Sequence, residues 1–214
     1  MRRVPMARRR MLEGAAGLLL LGTSREIDAT ALPTTPPQTA GPFYPLALPP
    51  DSDNDLVQIA GRTGTAKGTV TYLSGRVLDP TGRPISGAHV EIWRCDANGR
   101  YHYACGDRAD RPLDENFQGY GQTATDETGG YGFRTIRPVP YPGRTPHIHF
   151  AVSASGLPRF VTQMYVAGEK LNDTDSVLLG VHDPAARARL IVPLRPAPEI
   201  GRGALAATFD IVPG

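Results

Sequence analysis

The chain is punctuated too often for long helices. Its 24 glycines and 21 prolines are spread along all 214 residues, a pattern that predicts many short strands joined by turns rather than one disordered tract. Between these marks apolar and polar residues alternate. In "GTVTYLSGRVLDPTGRPISGAHVEIWRCDANGRY" the alternation is broken by Pro80-Thr81-Gly82 and by Asn98-Gly99, as hairpin turns break it. On a strand, Val90, Ile92 and Arg94 then lie on one face, with Glu91 and Trp93 on the other. "TATDETGGYGFRTIRP" gives a turn at 127–130 and a strand over 133–136, and "HIHFAVSA", "RFVTQMYVAG", "ARLIVPLRP" and "LAATFDIVPG" supply more. Residues 102–122 read as loop. After Gly22 only "VLLGVHDPAARARL" carries a helical apolar period, enough for one or two turns. The expected fold is all-β, a β-sandwich core with an irregular N-terminal arm. No repeat of fixed period is present, and the length suits one domain.

Three segments follow from composition. Residues 1–31 read as an export signal: Arg8, Arg9 and Arg10 precede an apolar run over 15–21, and Ala29-Thr30-Ala31 offers a small-residue cleavage site. That run is far short of the roughly 20 residues that span a bilayer, so no stable membrane span is expected. The arginines followed by Met11 and Leu12 are of the twin-arginine type, which exports folded proteins. Residues 32–67 form a proline-rich arm, and 68–214 the β-sandwich domain. The first 31 residues hold six of the 23 basic and three of the 21 acidic residues. The remainder is near neutral and shows no Lys/Arg stripe with interleaved aromatics, so nucleic acid is not an expected partner. Cys95 and Cys105 could pair across a short loop in an oxidising compartment or stand as two free thiols.

Two of the five histidines, His147 and His149, sit in "YPGRTPHIHF". On a strand both point to one side, while Ile148 and Phe150 point into the core. The pair could share a metal ion or be two ordinary residues of one strand face. Tyr141 precedes them between two prolines that restrict its backbone, and Tyr101 and Tyr103 follow the hairpin turn of "NGRYHY", which can aim a side chain at a neighbouring strand. If two imidazoles and two phenolates converge, the set suits a hard trivalent ion, iron(III), better than zinc. Arg144, just upstream, would set a permanent positive charge at the rim.

"GPFYP", "GRVLDPTGRPISGAHVEIWRCDANGRYHY", "TDETGGYGFRTIRPVPYPGRTPHIHF" and "TQMYVAG" resemble the intradiol ring-cleavage dioxygenases, in the type of catalytic core found in protocatechuate 3,4-dioxygenase, over about residues 40–214. The resemblance implies a non-haem iron(III) enzyme in which Tyr101, Tyr141, His147 and His149 bind the metal and Tyr103 is a neighbour. It implies a catechol-type substrate bound as a dianion in exchange for Tyr141, and ring cleavage by O2 to a cis,cis-muconate. Arg144 and Gln163 then match residues that steady the reacting ring. Tyr44 falls at the substrate pocket, as does Gln122, which stands where arginine is frequent. Only five residues separate Tyr141 from His147, and Gly143 stands where better-known members carry tryptophan, which implies a more open pocket. Catechol dioxygenases with a helical N-terminal dimerisation domain are not close relatives on this pattern, and a homo-oligomer is left open. Two other readings compete. "GRVLDPTGRPISGAHVEIW" alone also resembles non-catalytic β-sandwich binding or spacer modules, which have no need of the downstream tyrosine, arginine and histidine set. A zinc hydrolase using His147 and His149 lacks a matched carboxylate pair.

Overall fold

The computed structural model describes residues 31–102 and 111–214. The export signal, Tyr103 and Cys105 therefore lie outside the described residues, apart from the last position of the signal. Two sheets face each other. One runs in the order β4-β1-β9-β8, built from β1 Val70–Arg76, β4 Gly130–Ile136, β8 Arg195–Pro196 and β9 Leu205–Thr208. The other runs β3-β2-β5-β6-β7, built from β2 His89–Trp93, β3 Tyr120–Ala124, β5 His147–Ala154, β6 Leu157–Val166 and β7 Ile191–Val192. The chain is thus the expected β-sandwich. Helix is confined to a 3-10 turn at Lys170–Asp173 and two short helices, α1 Ser176–Leu179 and α2 Pro184–Ala188, each capped at its start by an aspartate. No helix among the described residues is long and apolar enough to cross a membrane.

Alternation decides which face each strand buries. Leu73, Phe133 and Ala207 of the first sheet meet Val90, Ile92, Ile148, Phe150 and Met164 of the second in one core. Phe150 bridges the layers, its ring 6.1 Å from that of Tyr131 and 5.1 Å from that of Phe209. The opposite face of the five-stranded sheet carries a separate apolar cluster of Trp93, Cys95, Tyr101, Tyr120 and Ala151, covered by Ala40, Phe43 and Tyr44 of the arm. The arm also reaches the main core, where Leu56 and Val57 are fully buried.

One expectation fails. Residues 120–124 lie within or next to the stretch read as loop, yet they form β3 and pair with β2 over its full length. Gly121 has no side chain to show the strand pattern. The structure explains that glycine: a β-carbon there would lie 2.5 Å from the Asp53 carbonyl and the Leu56 side chain, where the arm packs on the strand.

Three connections use one turn. Asp79, Asp96 and Asp126 each accept, through Oδ1, the backbone N–H groups two and four residues on. Each turn places a glycine at positive φ, +83° at Gly82 and +77° at Gly129. The two glycines differ in surroundings. A β-carbon at Gly82 meets nothing nearer than Leu32 at 3.7 Å, whereas one at Gly129 would lie 2.6 Å from the Val77 carbonyl. Gly82→Ala should therefore cost about 1 kcal/mol, the left-handed penalty alone, and Gly129→Ala about 3 kcal/mol as backbone clash is added. Urea unfolding of the two variants checks this, and equal losses would contradict it.

Candidate metal centre

The register of the five-stranded sheet builds the site. Trp93 lies opposite His149, which lies opposite Gln163 on the other side, and His147 lies opposite Tyr165. Side chains opposite each other share a face, so the row stands together on the side away from the main core. The Trp93 indole stacks on the His149 imidazole at 4.9 Å and 8°. His147 Nε2 and His149 Nε2 lie 3.2 Å apart.

Two turns bring the tyrosines to this row. The Asp96 turn ends at Arg100, and the next residue, Tyr101, buries its ring 6.4 Å from His149. Tyr141 starts a reverse turn in which its carbonyl accepts the Arg144 N–H at 2.9 Å. Pro142 and Gly143 are the central residues, with Gly143 at φ +83°, as a type II turn requires. This short turn stands where a longer tryptophan-bearing loop was the comparison. It sets Tyr141 5.4 Å from His147 and 5.6 Å from Tyr101, centroid to centroid. All four sequence-predicted ligands thus surround one point.

The chemistry of that point fits a hard cation. His147 Nδ1–H donates to the Thr145 carbonyl at 2.6 Å, which leaves Nε2 with a lone pair facing His149. Burial, helped by the Arg144 cation, pushes the His147 imidazole down to about 3. Burial, then the neighbouring His147, holds His149 well below its ordinary value. Both rings are therefore neutral, as metal ligands must be. Among the described residues the Tyr101 hydroxyl and His149 Nδ1 are buried without a well-formed hydrogen bond. Burial raises the phenols of Tyr101 and Tyr141, with the Arg144 cation opposing it at Tyr141. An orphaned buried hydroxyl is costly unless something binds it, and a strongly charged ion both lowers a phenol's pKa and satisfies its oxygen. One ion with bonds of about 2.0–2.1 Å to nitrogen can reach both Nε2 atoms. Among the described residues no group of three or more His, Cys, Asp or Glu gathers as a metal site, and the groups that ring these histidines are the phenols of Tyr101 and Tyr141.

Arg144 borders the four rings. Its Nε donates to Asp175 Oδ2 at 2.9 Å, and its Nη2 donates to Gln163 Oε1 at 2.6 Å and Tyr165 Oη at 3.3 Å. Gln163 Nε2 in turn donates to the Thr39 carbonyl of the arm at 2.8 Å. The arm roofs the site. At Gly41, φ +66°, a β-carbon would lie 3.4 Å from His149 Cε1, and Phe43 stacks on Tyr101 at 4.4 Å. Tyr44 stands one ring further out, edge-on to Trp93 at 5.0 Å, and its hydroxyl donates to Glu91 Oε1 at 2.5 Å.

Gln122 does not join the four rings. Its amide is engaged by His89, Ser52 and Tyr120, at the outer end of the same sheet face. Its neighbour across the register is Glu91, which accepts from Tyr44, Tyr120 and Arg159. Burial would raise the Glu91 carboxyl, but these hydrogen bonds hold it below the usual carboxylate range. Cys95 is buried and its thiol donates weakly to the Val139 carbonyl. Sequence reasoning missed Phe43, Glu91, Trp93, Tyr165 and Asp175 as parts of the site. For Glu91 and Trp93 the signal was present, since both alternate onto the face opposite Val90 and Ile92.

Comparison with known proteins gives the family. Residues 39–213 match the family model described as "Dioxygenase". The chain is 40% identical over 168 residues to the protocatechuate 3,4-dioxygenase beta chain of Burkholderia cepacia, covering 75% of this chain and 71% of that one. It is 32% identical over 164 residues to the hydroxyquinol 1,2-dioxygenase of Corynebacterium glutamicum, covering 67% of this chain and 50%, about half, of that one. Among solved structures it resembles the dioxygenase domain of a dioxygenase–carbohydrate-binding protein fusion from Streptomyces sp. SirexAA-E. The TM-score is 0.63 at 31% identity, over 84% of this chain and 97% of that domain. A match over nearly the whole β-sandwich, with named ring-cleavage enzymes on the other side of it, places this chain as an enzyme of the intradiol ring-cleavage dioxygenase family.

Proposed function

We propose that the chain is a non-haem iron(III) enzyme that cleaves a catechol-type aromatic ring with O2 to a cis,cis-muconate-type product. The observation that carries this reading is the pair of neutral imidazoles with Nε2 atoms 3.2 Å apart, ringed by two buried phenols. Tyr101, Tyr141, His147 and His149 would hold the ion. Bound iron(III) supplies a site for both catechol oxygens and draws electron density from the ring so that it reacts with O2.

The chain's own residues do the rest. Tyr141 is the less buried of the two phenols, so its oxygen is the one an incoming catechol would meet, and as a tyrosinate it would take the proton of a catechol hydroxyl. Arg144, held at the rim, steadies the anionic substrate and the negative charge that develops on it. Gln163 fixes one edge of that guanidinium and ties the arm down over His149. Tyr44 forms the pocket wall beyond Trp93, and Gln122 supports that wall through Tyr120 rather than by touching the four rings. Trp93 and Phe43 keep water from the ligand side.

Ferric iron added to the metal-free protein should give a visible tyrosinate charge-transfer band that shifts when catechol is added under nitrogen. Trp93, the chain's only tryptophan, stacks on His149 and should lose fluorescence as iron binds. His149→Ala should bind little iron. A colourless iron-loaded protein, or equal iron content in wild type and a His147→Ala/His149→Ala double variant, would rule the ligand assignment out. Oxygen uptake against a panel of substituted catechols identifies the substrate.

We further propose export by the twin-arginine route, motivated by Arg8, Arg9, Arg10, Met11 and Leu12. That route carries folded proteins, so a cofactor could be inserted before export. Replacing Arg8 and Arg9 by lysine should leave the protein in the cytoplasm, and unchanged export would show that another route is used.

A further inference from the structure

One buried carboxylate has no part in the set of metal-binding residues, yet it holds the groups that face the substrate. The Asp175 side chain is fully buried. Its Oδ2 accepts from Arg144 Nε and from the backbone N–H of Thr145, both at 2.9 Å. Its Oδ1 accepts from the N–H groups of Val177 and Leu178, both at 3.0 Å, and so closes the first turn of α1. Burial would raise this carboxyl, but the hydrogen bonds from Leu178, Thr145 and Arg144 hold it below the usual carboxylate range. It is therefore ionised wherever the protein is folded near neutral pH.

The two oxygens have different tasks. Oδ1 makes an ordinary helix cap, which asparagine could also make. Oδ2 faces two donors, and one of them is a cation, so an amide nitrogen in its place would set N–H against N–H. Arg144 is held in two directions at once, by Asp175 at Nε and by Gln163 and Tyr165 at Nη2. A planar guanidinium held at both Nε and Nη2 has one orientation left. Without the Asp175 contact the long stem regains rotamer freedom and the buried Nε–H loses its partner. The Thr145 N–H contact adds a second effect, because the Thr145 carbonyl receives His147 Nδ1–H. Asp175 thus fixes both residues that lead into the first histidine of β5.

We propose that Asp175 is a positioning residue for ring cleavage: from outside the site it aims the Arg144 guanidinium at the bound catechol, touching neither substrate nor metal. The inference rests on the proposed role of Arg144. It separates two functions of a single carboxylate, one that caps a helix and one that orients a cation.

A double-variant cycle on the iron-loaded full chain tests it, with turnover counted per bound iron. Asp175→Asn should lower kcat about tenfold or more while KM changes by less than about threefold, as expected when an interaction with a charged group is lost from the transition state. In an Arg144→Ala background the same change should alter kcat by less than about twofold, because the group being aimed is gone. Equal losses in both backgrounds would mean that Asp175 acts through the fold alone and would overturn the proposal. Should Asp175→Asn fail to accumulate, Asp175→Ser, which keeps a capping oxygen, enters the same cycle. A second measurement needs no turnover. In the metal-free protein the Arg144 Nε–H proton should exchange slowly with solvent in wild type and rapidly in Asp175→Asn, with the rest of the amide spectrum retained. Slow exchange in the variant would also overturn the proposal. A protein that cleaves no catechol but shows this exchange difference would fail the dioxygenase reading while keeping the Asp175–Arg144 contact.

Discussion

The antiparallel register of β2, β5 and β6 is the constraint on which the site depends. It sets Trp93, His149 and Gln163 in one line across the sheet, with His147 and Tyr165 in the next. A slip of one residue would turn both histidines into the core and Ile148 and Phe150 out of it. The main core prevents that slip, since Ile148, Phe150 and Val152 are wholly buried between the sheets. The hydrophobic packing of one face therefore fixes the geometry of the polar face behind it. Neither histidine needs a loop to aim it, and a ligand on a strand of a packed sheet is held more tightly than one on a loop.

The two phenols come from turns, and here too the geometry is stiff. Asp96 closes its turn with three backbone N–H contacts, two through Oδ1 and one from Asp114 through Oδ2. Tyr101 leaves that turn with its direction set. Tyr141 is framed by Pro140 and Pro142 and by the glycine at positive φ that follows. The difference in burial between the two tyrosines follows from these settings. Tyr101 is packed under Phe43, while Tyr141 sits at the mouth of a tight turn beside the Arg144 cation.

Much of this was legible in the sequence because its signals are local. The sandwich followed from alternation and turn residues, the histidine pair from their spacing on a strand, and Arg144 from its place before them. What failed to show depends on contacts between distant segments. β3 was hidden by Gly121, whose missing side chain makes room for Asp53 and Leu56 of the arm. Asp175 reads in sequence only as a helix cap, and its second oxygen acquires meaning because the Tyr141 turn delivers Arg144 to it across 31 residues. Gln122 was placed at the pocket by resemblance, but its own amide bonds to His89, Ser52 and Tyr120. The convergence of the two tyrosines also needed more than spacing, since a chain with eight tyrosines offers many pairs.

The arm shows how a segment without regular structure can be integral to a site. Its backbone donates and accepts against β3, β4 and β6, as at Gln122 N–H to Ser52, Arg134 N–H to Asn54 and Gln38 N–H to Val161. It thereby covers edges of both sheets that would otherwise stand open. The same run lays Gly41 on His149, Phe43 on Tyr101 and Tyr44 against Trp93. Proline-rich sequence serves both ends, because a chain that cannot form a strand or helix of its own is free to follow the surface it covers. Covering the four rings also sets their electrostatics. Burial under the arm pushes both imidazoles down and the phenols up, so the four rings carry no charge of their own near neutral pH. Strand register and two tight turns set where the four rings stand, and the arm sets how far they are shielded from water.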